Sequence, residues 1–310
     1  MNAPRSIDDY LKQLRAALGG DDPALTQDAL YDAEEYLRAE VAAHPDKSEA
    51  DVLELIASTY GAPEEVAAAY RDTEVKVKAA LKSPGAKVSA GASPLRRFFG
   101  IYLDPRTYSS LFYMLLALAT GIVYFVFVVT GLSLSAGFAI LIIGIPFFLA
   151  FIGIARVIAL GEGRLLEAVT GERMPRRPVH PGPAGSWWAR IGEMLKDVRT
   201  WTTLAYLLLM LPLGIVYFVI AVTGLAVSAA FIGTPLALLA QYFGWAPGDF
   251  RAIDIHYDNG SVYAFDHPWI SGPLLLVVGV LLLTLLMHVA RALVRGHARL
   301  AKSLLVVPGA

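Results

Sequence analysis

Asp254, His256, Asp258, Asp266 and His267 stand close together in the segment 244–271 and offer the donor types that bind cations. Carboxylates suit hard divalent ions and imidazole suits zinc. Their spacing follows no known ligand pattern, so the plainer reading is a polar lid that solvates the end of a helical bundle and binds no metal. Tyr124 and Tyr217 recur in two identical "GIVYFV" strings. They read either as a pair facing each other across a pseudo-twofold seam or, more simply, as packing and interfacial aromatics. The chain has no Cys, which removes disulfides, thiol nucleophiles and thiolate metal sites, and its six His form no His-x-x-x-His pair. No nucleophile, acid–base pair or cofactor loop is evident, so the expectation is a protein that is not an enzyme and carries no cofactor.

These residues sit in a chain dominated by apolar helices. Of 310 residues 56% are hydrophobic and only 17% charged, with a mean hydropathy of +0.54. Soluble domains carry about 25% charge, so the deficit points to lipid contact. The net charge of -1 hides a split, with acidic residues concentrated before residue 90 and Arg at the ends of later apolar stretches. That pattern gives no basis for direct nucleic-acid binding. A polar start without an apolar core predicts no cleavable signal peptide and a cytoplasmic N-terminus.

An internal repeat organises the apolar part. "TYSSLFYMLLALATGIVYFVFVVTGLSLSAGF" from Thr107 returns as "TWTTLAYLLLMLPLGIVYFVIAVTGLAVSAAF" from Thr200, at a shift of about 93 residues and with more than half the positions identical. The flanks repeat too: Arg97, Asp104 and Arg106 against Arg190, Asp197 and Arg199, then "ARVIALGEGRLLEAV" from Ala155 against "ARALVRGHARLAKSLL" from Ala290. Uncharged runs predict spans over 107–130, 132–155, 200–223 and 272–290, with Thr130-Gly131-Leu132-Ser133 as a tight hairpin. The apolar piece 226–243, interrupted by Gly233-Thr234-Pro235, reads as re-entrant or interfacial. As a fifth span it would put Arg291, Arg295, Arg299 and Lys302 on the outside, against the positive-inside rule. No Asp, Glu, Lys or Arg falls near the middle of these spans, which argues against an ion-coupled transporter. Gly121, Gly214 and Gly144 read as close-packing positions. His288 reads as solvated or headgroup-facing, and the Arg173, Arg176, Arg177 run as solvated and attracted to membrane lipids. In the insert, Asp258-Asn259-Gly260 between alternating runs predicts a short outer β-hairpin.

The first 82 residues read as four amphipathic helices. Ile7, Tyr10, Leu14 and Leu18 share a face and Gly19-Gly20 stops the first helix. Asp22-Pro23 opens a second, acidic one, Ser48-x-x-Asp51 caps a third with Val52, Leu55, Ile56 and Tyr60 as its apolar face, and Gly61-x-Pro63-Glu64-Glu65 begins a fourth. "DDYLKQLRAAL", "DALYDAEEYLRAEV" and "SEADVLELIASTYGAPEEVAAAY" resemble the HAAS domain, a helical signalling module of bacterial membrane proteins linked to PadR-like transcription regulators. The resemblance implies a partner-contact role, for which Glu34, Glu35, Glu64 and Glu65 are the candidates. Residues 83–95 have linker composition.

The apolar part, from "LDPRTYSSLFYMLLALATG" onward and again from Asp197 to Leu305, resembles the four-helix sensor domain often placed before actinobacterial histidine kinases. Within these 310 residues no kinase core follows, so no phosphotransfer His or ATP-binding glycine box is carried over. The expected fold is an all-α membrane protein. It has a cytoplasmic helical domain (1–82), a linker (83–95) and a four-span bundle (96–310) of two tandem helical-hairpin repeats, 96–170 and 187–305. A short outer β-hairpin lies in the insert 244–271. The expected setting is the bacterial inner membrane with both termini cytoplasmic. Candidate partners are membrane lipids, a PadR-like regulator or separate kinase, and a second copy of the chain. The expected function is coupling of an outer or intramembrane stimulus to the helical head. The alternative is an accessory or permease-like transporter subunit that binds lipid, peptide or drug between its repeats.

Overall fold

The computed structural model describes residues 4–81, 93–138, 144–177, 192, 195–245, 253–257, 260–264 and 268–306. The head comprises α1 (Ile7–Ala17), α2 (Pro23–Ala43), α3 (Glu49–Ile56) and α4 (Pro63–Leu81). Their ends follow from local chemistry. The Ser6 hydroxyl accepts from the Asp9 N–H, Asp22 caps α2 ahead of Pro23, and Ser48 with Asp51 closes a reciprocal capping box on α3. Gly20 and Gly61 take φ of 89° and 99°, the left-handed backbone that stops a helix with least strain. The Gly61 carbonyl then accepts the Tyr10 hydroxyl at 2.9 Å, tying α1 to the α3–α4 turn.

The head buries one shared core of Ile7, Tyr10, Leu14, Leu18, Ala29, Ala33, Leu37, Leu53, Ile56, Val66 and Ala67. One core assignment is corrected: Leu53, at 4% exposure, faces inward, and Leu55 is 49% exposed. On an eight-residue helix Val52, Leu53 and Ile56 form one face, and Leu55, two positions beyond Leu53, falls on the other. Leu53→Ala should therefore cost the head about 2–5 kcal/mol, and Leu55→Ala little, as read by thermal melts of residues 1–82.

Burial also raises the phenol pKa values of Tyr10, Tyr60 and Tyr70, that of Tyr60 to about 12. A raised pKa contributes stability that is intact below the ordinary value of 10 and is lost as pH rises through the folded value. The head should resist base up to pH 10 and unfold as pH climbs through about 12. The tyrosinate signals of these three residues should rise together with the loss of helical circular dichroism, and their ionisation at pH 10 with the helix intact would contradict the burial.

Beyond the head come α5 (Pro94–Phe99), a short 3-10 turn (Gly100–Leu103), α6 (Pro105–Phe138), α7 (Gly144–Thr170), α8 (Val198–Tyr242) and α9 (Pro268–Leu305). Among the described residues four helices are long and apolar enough to cross a membrane: α6, α7, α8 and the 271–305 part of α9. Their boundaries differ from those expected. α6 runs straight through Thr130-Gly131-Leu132-Ser133, so the tight hairpin there is corrected. Gly131 is a packing glycine: a Cβ on it would lie 2.1 Å from the Phe151 ring of α7. Gly224, its repeat equivalent, meets Leu286 of α9 in the same way, with a Cβ 2.6 Å from the Leu286 methyl. Small residues let membrane helices approach closely, and the same glycine is as compatible with a turn as with that contact.

The piece 226–243 is likewise not a separate re-entrant or interfacial segment. It continues α8, a helix of 45 residues with Pro212 and Pro235 inside it. At 1.5 Å per residue it reaches roughly 68 Å, over twice a hydrocarbon core of about 30 Å. Ile122 and Ile215 are 48% and 47% exposed, and Val126 and Val219 follow at 55% and 53%, an exposed apolar stripe on each of α6 and α8. In the insert, β1 (Ile253–Tyr257) and β2 (Gly260–Ala264) pair antiparallel in the register Ile253↔Ala264 to Tyr257↔Gly260.

The chain divides into two compact units. One comprises Met1–Pro84, Gly121–Met210 and Arg295–Ala310, and the other Gly85–Thr120 and Leu211–Val294. In the second unit Arg291 pairs with Asp104 at 2.6 Å, and Tyr102 and Thr284 share a 2.8 Å hydrogen bond. His288, half-buried, bonds the Phe98 carbonyl at 3.0 Å and stacks on the Phe98 ring.

Candidate functional site: a buried latch between the head and the strap after α7

In the first unit the head is fastened to a membrane helix. α7 ends at Gly171, whose φ of 74° turns the chain back while its N–H bonds the Glu167 carbonyl at 2.8 Å. The following residues, 172–177, form a strap folded against α7. Glu167 holds it by accepting Arg176 Nη2 at 2.8 Å and the Met174 N–H at 3.4 Å. Met174 is fully buried beside Gly163.

The strap presents donors to α2 of the head. Asp28 accepts Arg173 Nη2 at 2.7 Å through one oxygen and the Arg176 and Arg177 N–H groups at 2.8 and 2.9 Å through the other. The two side chains are 6% and 8% exposed. Around this pair Arg173 Nε lies 3.6 Å from Glu74, Arg177 pairs with Asp32 at 2.8 Å and Gln27 donates to the Arg177 carbonyl at 3.0 Å. Lys302, near the end of α9, donates to Asp22, the N-cap of α2, at 2.7 Å.

Electrostatics make this contact costly to break from one side. Burial raises the Asp28 pKa, opposed by the two strap N–H groups and Arg173, and burial wins. A buried pair adds little when complete, but removal of one member strands the other charge in a poorly solvated place. Two cavities flank the strap. One of about 60 Å³ lies beside Met174 and Pro175, and one of about 370 Å³ is lined by Arg173, Arg176 and Arg177. The nearby Arg156 of α7 bonds Asp197 and Thr200 at 3.1 Å each, joining α7 to the start of α8. Arg156 and Asp197 of this pair are the repeat equivalents of Arg291 and Asp104.

The residues singled out from sequence lie mostly elsewhere. Glu34 pairs with Arg38 on its own helix at 2.8 Å, Glu65 caps the Ala62 N–H at 3.0 Å, and Glu35 and Glu64 are exposed. Tyr124 donates to Glu162 of α7 at 2.9 Å, and Tyr217 is buried on α8. Asp254 and His256 lie in β1, while Asp258, Asp266 and His267 lie outside the described residues. Among the described residues no three His, Cys, Asp or Glu come together as a metal site.

One expectation is corrected here. Arg173 is buried in the latch and not solvated, because Asp28 and Glu74 of the head cover it. α7 extends past residue 155, the expected end of its span, and there carries Arg156 and the 1%-exposed Glu162. In α9 the equivalent position is His297, 2% exposed and 3.0 Å from the Tyr206 hydroxyl. Asp28 and Arg173 are 145 residues apart, and no local periodicity links them. The one available signal was an Asp falling on the same side of α2 as Leu25 and Ala29, where a solvated acid is out of place.

Four apolar helices of spanning length define a multi-span membrane protein of the sensor type. The chain belongs to the Putative sensor family, whose sequence pattern matches residues 113–305. No curated protein and no solved structure matches the chain.

Proposed function

We propose that the chain is a signalling protein of the bacterial inner membrane, without enzymatic activity of its own, whose head and C-terminus both lie in the cytoplasm. A stimulus at the outer insert or within the bundle changes span packing, and the HAAS-like head carries the change to a PadR-like regulator or a separate kinase. The observation that carries this reading is the Asp28–Arg173 latch, because the strap is continuous with α7 and any shift of that helix is felt at α2. A stimulus acts in this way only if it binds two packings with different affinity. The cavities on either side of the strap give it room to move.

The permease-like reading is kept for one observation. Glu162 is buried in a spanning-length helix and bonded to Tyr124, and intramembrane acids mark transport pathways. A pull-down separates the two readings. Full-length protein should retain a transcription regulator or kinase and lose it when Asp28 is replaced, whereas capture of transporter subunits regardless of Asp28 favours the second. Topology is tested with single Cys at Ser261 and Ser303 in a chain without native Cys. Position 303 should label only from the cytoplasm and position 261 only from outside; the reverse pattern sinks the topology.

A further inference from the structure

We propose that the cavity of about 60 Å³ where α7 meets the start of α8 binds a phosphate group, carried by an anionic lipid headgroup or by a soluble phosphate. Its polar lining is Gln27, Arg156, Asp197, Arg199 and Thr203, so two guanidinium groups share one carboxylate.

Donors exceed acceptors in this cavity. Asp197 is fully engaged, one oxygen taking Arg156 Nη2 at 3.1 Å and the other the Arg199 N–H at 3.0 Å. Arg156 shares that same Nη2 with Thr200, which leaves its Nε and Nη1 unused. The half-buried Arg199 guanidinium has no hydrogen bond or direct ion pair among the described residues. The charges that act on it are Asp197, Arg156 and Arg15, one negative and two positive. Among the lining side chains the acceptor left over is the neutral Gln27 carbonyl oxygen, since the Gln27 amide donates to the Arg177 carbonyl.

Thr203 supplies an independent observation. It is 8% exposed, lines the cavity and makes no side-chain hydrogen bond among the described residues. Ser110, at the matching position of the repeated text, bonds back to the Arg106 carbonyl at 2.7 Å. A helical hydroxyl ordinarily satisfies itself in that way. Thr203, also four residues after its Arg, does not, and a buried hydroxyl beside two guanidinium groups is a further donor in need of an acceptor.

Phosphate oxygens can accept from Arg156, Arg199 and Thr203 together, and Arg matches phosphate in bidentate geometry. The cavity holds about four to six waters at roughly 10–15 Å³ each, which is the size of one phosphate group, so any substituent must leave through its mouth. Leu160, Met174 and Leu305 add an apolar wall, and α8 is of spanning length. One excess positive charge beside an apolar wall suits a lipid phosphodiester better than a doubly charged soluble ester. The site does not depend on the proposed signalling role.

In a maltoside detergent, titration of the full-length protein with phosphatidylglycerol, followed by native mass spectrometry, should show one lipid bound in preference to phosphatidylcholine. Thr203→Val, which keeps the side-chain shape, should weaken that binding about fivefold, and Arg199→Gln about tenfold or more. Arg106→Gln, at the matching place of the repeated text and outside the cavity, should leave it unchanged. Calorimetric titration with inorganic phosphate is the second arm. Saturable binding weakened by the same two variants identifies a soluble phosphate as the source, and phosphatidylglycerol binding alone identifies a headgroup. No binding of either probe, binding insensitive to Thr203→Val and Arg199→Gln, or equal loss in Arg106→Gln would overturn the site.

Discussion

Asp28→Ala should release the head from the strap while leaving the head folded. The substitution strands Arg173 with its main acceptor gone and frees the Arg176 and Arg177 N–H groups together. Breaking a buried pair from one side costs about 3–5 kcal/mol, more than a surface contact can offset. Hydrogen exchange should speed up in 172–177 and on the Asp28 face of α2, with the core around Leu14 and Leu37 still protected. Asp28→Asn keeps an acceptor for the strap N–H groups and should cost less. Glu35→Ala, on an exposed position of α2, should do nothing.

The pH dependence has a definite sign. The Asp28 pKa is raised above the ordinary carboxyl value of 3.8, so its favourable contribution is complete below that value and is lost as pH rises through the raised one. Acidification therefore relieves the burial cost, and acid release of the head, if it occurs, must come from other groups. Asp28→Asn should flatten this part of the stability profile.

Gly214→Ala should be the most damaging small substitution in the membrane part. A Cβ there would lie 2.3 Å from the Ala117 carbonyl oxygen and 3.0 Å from the Leu118 Cα, both backbone atoms of α6. No rotamer change relieves such a clash, so α6 and α8 must separate along a contact built on close approach. The expected loss is about 3 kcal/mol or more, the upper range for overpacking, read as a lower melting temperature in detergent. Gly131→Ala meets a side chain, the Phe151 ring, and should be partly rescued by Phe151→Leu. Gly137→Ala and Gly233→Ala, with open space at the Cβ, should be neutral.

The sequence was informative where the controlling chemistry is local. Ser6, Asp22 and Ser48 cap helices through residues two or three positions on, and Gly20 and Gly61 stop them through their own backbone, so the head's helix boundaries can be read directly. Family membership was legible for a different reason: the repeated text carries the exposed apolar stripe and the Asp104 and Asp197 lead-ins together. Gly131 misled because apolar composition continues on both sides of it, and lipid does not require a polar residue to mark a turn. The Leu53 and Leu55 assignment failed because eight residues are too few to fix a helical phase. The latch was hidden by distance along the chain, since Arg173 reads as a solvated cation until the fold places Asp28 over it.

The central claim is that the latch holds the head to α7 and that its state follows the bundle. The most direct measurement is a distance distribution between spin labels at Ala39 of α2 and Ser303 of α9, both exposed and in the same compact unit. The account predicts one narrow distribution for the parent protein and a broad one, extended to longer distances, for Arg173→Ala. Gly131→Ala, which disturbs only the packing of α7 on α6, should also broaden it. A narrow distribution that survives Arg173→Ala would contradict the latch, and one broadened by Arg173→Ala but untouched by Gly131→Ala would contradict its coupling to the bundle.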